Sequence, residues 1–349
     1  MPAPDYAPLD DALAMVAASG IALKNGNSNH APMVAEALCA LGRPEVVMPW
    51  LDRYRERMSP RPPAGRPIAR DAWRDALGRR ERFPDWASFF TEELAEARWP
   101  SVLDRWVDRL MPGFSAAATH GPIRVGHAVR ALAARETPAR RHELADALAG
   151  WAATYRELPV ANGGAGALQP AQALAVVPIL PPERRRAGNI VAGLAGLDDF
   201  PAFAPAIDLL DTTGALAPLL AELTEVFAGV FLAHADGIPT AIAFIHGVTS
   251  LAALGNLVPH LDEPTARRAV RYAWQAGCGL YACYAGGTAS AERAEPAMVD
   301  TDGLADRAVA NGDEHVIKFT EACLGRHRVR PSPAYPAAIV RLFGLVRRR

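Results

Sequence analysis

Thr119-His120-Gly121-Pro122-Ile123-Arg124-Val125-Gly126-His127-Ala128-Val129-Arg130-Ala131-Leu132 is the stretch that decides the fold. Pro122 suits the first turn of a helix, and Ala128, Val129, Ala131 and Leu132 then recur at helical spacing. Leu144, Ala147, Leu148 and Trp151 repeat the pattern downstream. Ala, Leu, Arg and Glu dominate the chain and favour helix, while period-two alternation between Asn-Gly or Asp-Gly turns is hard to find. The expectation is an all-α protein. Its helices are separated by Pro- and Gly-rich loops at residues 59–67, 159–170, 180–188 and 285–303, and no fixed-period repeat indicates a solenoid.

Composition narrows the function. The 349 residues are half apolar and 21% charged, with a formal net charge of -1. That is an ordinary soluble composition with no electrostatic footprint for nucleic acid or an anionic membrane. Arg347-Arg348-Arg349 reads as a solvated tail. Cys39, Cys278, Cys283 and Cys323 have apolar neighbours and form no C-x-x-C pair, as expected of buried thiols in a reducing compartment. The amino terminus does not read as a signal peptide, and no apolar run free of charges and helix breakers reaches the length of a membrane span. A cytoplasmic protein is expected.

Chemistry is concentrated in the histidines. His142 and His327 stand among arginines and read as solvated, and His260 reads as a helix-end residue. His30 follows Asn27-Ser28-Asn29 and precedes Pro32, so it sits at a helix start, as a cap or as a ligand. His120 and His127 lie seven residues apart, about 10 Å along a helix, too far to share one ion easily. That spacing suggests His120 as a ligand and His127 as a substrate-facing or supporting group, against two ordinary helix histidines. His246 interrupts Ala241-Ile242-Ala243-Phe244-Ile245. A buried imidazole without partners costs on the order of 1–3 kcal/mol, so it must be hydrogen-bonded or coordinated. His234 with Asp236 could be an H-x-D ligand pair, or a helix end.

Asp313-Glu314-His315-Val316-Ile317-Lys318 puts His315 and Lys318 on one helix face capped by Asp313. The 37 lysines and arginines include only two lysines, Lys24, beside Asn25-Gly26-Asn27, and Lys318. Keeping a lysine at 318 suggests that the amine is wanted, although a surface pair with Glu314 or Glu321 would also accommodate it. A buried amine tends to lose its proton. It can then add carbon dioxide to become a carbamate, whose oxygens turn a histidine cluster into a histidine-plus-carboxylate site suited to iron and oxygen chemistry.

Familiar cofactor signatures are missing. No dinucleotide-binding glycine motif, P-loop or G-x-S-x-G elbow is present, and His142-Glu143-Leu144-Ala145-Asp146 ends in aspartate where a zincin needs histidine. A flavin or dinucleotide domain is not supported.

Asn29-His30-Ala31-Pro32-Met33, the stretch from His120 to Leu132, Trp151-Ala152-Ala153-Thr154-Tyr155-Arg156-Glu157-Leu158-Pro159, Phe244-Ile245-His246-Gly247-Val248-Thr249 and His315-Val316-Ile317-Lys318 together resemble the questin oxidase family. The resemblance implies an all-helical fold and oxidation of aromatic polyketides, typically ring opening of anthraquinone-type substrates. The family is usually described as Baeyer–Villiger-type oxidases using NADPH. Related enzymes point to a mononuclear non-haem iron, Fe(II), held by histidines and a carboxylated lysine, and the matching positions are His30, His120, His246, His315 and Lys318. Ligands so far apart in sequence imply one integrated domain. On this reading a small aromatic substrate meets dioxygen, His127 takes a phenolic proton, Arg124 holds a developing oxyanion or carboxylate, and Thr249 orients the metal site. Asp313 and Glu321 are weaker supporting candidates. The competing readings are a zinc-type hydrolase on a helical scaffold, a metal-free NADPH-dependent oxidase, and a non-catalytic helical binding protein.

Overall fold

The computed structural model describes residues 3–161, 164, 166–286 and 300–346. Along the first half run α1 (Leu9–Val16), α2 (Ala31–Ala40), α3 (Val47–Tyr54), α4 (Phe83–Glu96), α5 (Trp99–Leu110), α6 (His120–Ala134) and α7 (Pro138–Ala153). After the short α8 (Pro170–Ala175) and α9 (Ile190–Leu194) come α10 (Leu216–His234), α11 (Ile238–Leu257), α12 (Glu263–Tyr284), α13 (Thr301–Asn311), α14 (Glu314–Val329) and α15 (Ala334–Leu345). The all-α expectation holds. The one sheet among the described residues pairs β1 (Ser19–Leu23) with β2 (Met58–Pro60) antiparallel, so the predicted loop 59–67 begins as a strand. The predicted loop 285–303 lies mostly outside the described residues, as do part of 159–170 and the Arg347–Arg349 tail. At its far end Asp300 caps α13 by accepting the Gly303 amide.

Apolar side chains from Leu9 to Val346 form one continuous buried cluster. Within it α11 packs on α6, α10, α12 and α14, while α2 touches both α6 and α14. Helices α2, α6, α11 and α14 therefore close a ring. Gly126 permits one side of that ring, since a Cβ there would fall 2.6 Å from the Cβ of Ala253. Gly121 does the same against Trp151, whose indole donates to the Gly113 carbonyl at 2.9 Å.

The central position of α11 explains a departure from the sequence reading. Residues Leu216–His234 and Ile238–His260 are long and apolar enough to cross a membrane by length and composition, which corrects the expectation that no such run exists. Pro218 and Pro239 lie in the first turns of their helices, where proline does not interrupt them. The second stretch is 78% buried inside the protein, and a helix packed on all sides is apolar on all sides.

Candidate functional site

Each helix of the ring brings one histidine to a common point. Asn29 fixes the start of α2, its side chain accepting the Ala31 amide at 3.0 Å and donating to Ser19 Oγ and the Gly20 carbonyl. His30 is the N-cap residue of α2, and its own amide donates to the Tyr54 hydroxyl at 2.9 Å. His120 opens α6, His315 lies in the first turn of α14, and His246 sits mid-way along α11. Three of the four thus stand at helix N-termini, where the macrodipole opposes added positive charge.

The backbone before His120 is unusual. Ala117, Ala118 and Thr119 all have left-handed φ values, of 47°, 57° and 69°. Such residues cost roughly 1–2 kcal/mol each when they carry a Cβ. The turn they make points the Ala117 carbonyl at His120 Nδ1, 2.5 Å away. The Ile242 carbonyl meets His246 Nδ1 in the same manner at 2.6 Å. A carbonyl can only accept, so both rings carry hydrogen on Nδ1 and turn an Nε2 lone pair inward. His315 Nδ1 lies 3.4 Å from Asp313 Oδ1.

The inward nitrogens crowd. His120 Nε2 is 2.7 Å from His30 Nε2 and 3.4 Å from His246 Nε2. The ligand atoms of His30, His120 and His315 lie within 4.8 Å of one another, the one such group among the described residues. Burial, with the neighbouring imidazoles and Lys318, pushes His30 and His120 well below the ordinary histidine pKa and His246 down to about 3. The rings of His30, His120 and His246 are therefore neutral at pH 7, and their lone pairs face each other with too few protons between them. A shared cation would resolve that conflict. Metal–nitrogen bonds near ~2.1 Å at angles of roughly 90–110° put neighbouring nitrogens about 3.0–3.4 Å apart, so the set fits a single transition metal if the His30–His120 contact opens slightly.

Lys318 completes the cluster. Its side chain is buried, and its Nζ lies 3.9 Å from Met33 Sδ. Glu314 pairs with Arg57 at 2.8 Å and Glu321 pairs with Arg130, so neither forms an ion pair with Lys318 among the described residues. Burial lowers the amine to about 8, against the opposing pull of Glu314 and Asp313.

The remaining candidates lie around this centre. His127 Nδ1 meets Glu36 Oε2 at 2.6 Å, which leaves Nε2 for another partner. Thr249 donates to the Ile245 carbonyl at 2.9 Å and lines a cavity with His127 and Lys318. Arg124 binds Glu143 through Nε and Nη2 at 2.7 and 2.8 Å and lines a smaller space beside His120. His234 is not brought to the cluster, and Asp236 instead accepts from the Thr240 hydroxyl at 2.7 Å. His327 departs from its solvated reading, because its ring is half-buried and holds Ser332.

The sequence reading missed Glu36. It sits in α2, whose ten residues are all buried, and a lone acid in that apolar run was the available signal. Burial favours its neutral form, yet Arg130 and His127 more than reverse this and hold it down to about 2. Arg130 bridges Glu36 and Glu321, and Tyr6 donates to Glu36 at 2.9 Å.

No curated protein matches the chain. A family model described as Questin oxidase-like matches residues 27–177, a segment that holds His30, His120, Arg124 and His127 but not His246, His315 or Lys318. Over residues 27–177 the chain is similar to the Questin oxidase-like family, in agreement with the three motifs read from that part of its sequence.

Proposed function

We propose that this protein is a non-haem iron-dependent oxygenase that opens a ring of an aromatic polyketide of the anthraquinone type. The observation that carries the reading is the convergence of the ligand atoms of His30, His120 and His315, with His246 Nε2 3.4 Å from His120 Nε2, beside a buried lysine that forms no ion pair with Glu314 or Glu321.

His30, His120, His246 and His315 would hold the iron, with Lys318 as the fifth group. Near neutral pH part of the Lys318 amine is unprotonated. Its nitrogen can bond to the carbon of carbon dioxide and release a proton, giving a carbamate whose oxygens match a carboxylate ligand. The helix N-termini around the site favour that negative charge. When bound, the iron supplies activation of dioxygen.

The protein's own side chains then bind and move protons. His127 Nε2 accepts a phenolic proton while Glu36 steadies the resulting imidazolium through Nδ1. Arg124, whose Nε and Nη2 are held by Glu143, lines the smaller space beside His120 and keeps Nη1 for an oxygen anion that forms there. The space beside His120 is about 30 Å³, room for a water-sized molecule, whereas the cavity touching Lys318, Thr249 and His127 is about 200 Å³. The first suits dioxygen and the second an aromatic ring.

Metal analysis and oxygen uptake test the reading. Near-stoichiometric iron in purified protein, lost in Lys318→Ala, together with substrate-dependent dioxygen consumption, is the expected result. Zinc without oxygen uptake would favour the hydrolase. NADPH-driven oxidation by metal-free, folded protein would replace the iron mechanism.

A further inference from the structure

The larger cavity is lined by His127, Arg130, Thr249, Lys318, Glu321 and Arg326, with alanines of α11 and α14 between them. Its two arginines are placed differently. Arg130 is neutralised by Glu36 and Glu321. Arg326 has no carboxylate partner among the described residues, and its Nη2 donates to the Ala252 carbonyl at 3.2 Å. Gly255 makes room for it, since a Cβ there would fall 2.6 Å from both Nη1 and Nη2.

A guanidinium keeps its charge at any ordinary pH. Burial costs Arg326 hydration and pushes its pKa down, with Glu321 as the main compensation. The half-buried guanidinium lines the cavity, where an anion would complete its pairing, and its planar donor fork matches a carboxylate. Glu321 beside it disfavours a doubly charged group such as phosphate. A space of about 200 Å³ is smaller than the roughly 300–1,000 Å³ of sites that enclose drug-sized ligands, which limits the enclosed part to about one ring.

We propose that Arg326 anchors the carboxylate of an aromatic acid, one ring of which occupies the cavity between Arg326 and His127. The aromatic character rests on the oxygenase reading; the carboxylate anchor rests on the placement of Arg326.

Titration calorimetry of chelator-treated, metal-free full-length protein with benzoate and with benzamide tests this. Benzoate should bind about tenfold or more tightly than its neutral isostere. That preference should vanish in Arg326→Gln and return in part in Arg326→Lys. Gly255→Ala, which favours the helix but displaces the guanidinium, should also lower benzoate affinity. Equal binding of the two probes, binding of neither, or an unchanged preference in Arg326→Gln overturns the proposal. If Arg326→Gln does not fold, an unchanged preference in Gly255→Ala overturns it instead. Because no metal or turnover is involved, absence of iron or oxygen uptake would sink the oxygenase reading and leave this result standing.

Discussion

Replacing Lys318 by methionine should stabilise the metal-free protein and, on the proposed reading, abolish iron binding. The folded protein holds the Lys318 amine at about 8, against an ordinary value of 10.5, chiefly through burial. At about 1.4 kcal/mol per pH unit, the protonated lysine costs the fold on the order of 3 kcal/mol. The unfolded chain keeps this proton until the ordinary value is reached, while the native state releases it from about pH 8. The native state therefore binds fewer protons between those limits, and its stability rises with pH across them. Below pH 8 the full cost is present. Methionine has nearly the same length, lies beside the Met33 thioether and carries no charge. Urea unfolding of chelator-treated parent and variant should show Lys318→Met ahead by roughly 2–3 kcal/mol near pH 6.5, with the gap closing between pH 8 and 10.5. A variant less stable than the parent at pH 6.5, or a gap that does not change with pH, would refute the reasoning.

Three other outcomes follow from the same contacts. His246→Ala should lose the metal in elemental analysis, whereas His127→Gln should retain it and show a lower kcat. Glu36→Ala leaves His127 without its carboxylate and Arg130 with one partner fewer, and should cost about 3–5 kcal/mol in denaturant unfolding at pH 7. Because Glu36 is held at about 2, that deficit should shrink as pH falls from about 4.5 towards 2 and the parent loses the same contribution. Ala118→Gly should alter stability by less than about 0.5 kcal/mol, since relief of its left-handed φ offsets the entropy lost to glycine, whereas Ala131→Gly within α6 should cost at least about 1 kcal/mol.

The sequence revealed those features whose cause is local. The period of Ala128, Val129, Ala131 and Leu132 makes α6 visible, and His246 stands out because the run Ala241–Ile245 before it is wholly apolar. Long-range pairing is invisible in the same letters. Glu36 and His127 are 91 positions apart, and only packing of α2 on α6 brings them within hydrogen-bond distance. The left-handed turn at 117–119 was equally hidden, because Ala116-Ala117-Ala118 is a helix-favouring string with no glycine to advertise positive φ. The spanning length of α11 was misread because its proline falls where helices tolerate one.

The ring of α2, α6, α11 and α14 also sets an order of events during synthesis. A nascent chain emerges amino end first, and domains tend to fold as they appear. The segment that matches the family can present two imidazoles long before His246 and His315 leave the ribosome. Until α14 docks against α2 and α11, His315 and Lys318 are missing from the cage and the early imidazoles face water. On the proposed iron reading, metal capture would belong to the last stage of maturation, and a chain truncated before residue 315 should remain without a complete histidine pocket even when its first helices have formed.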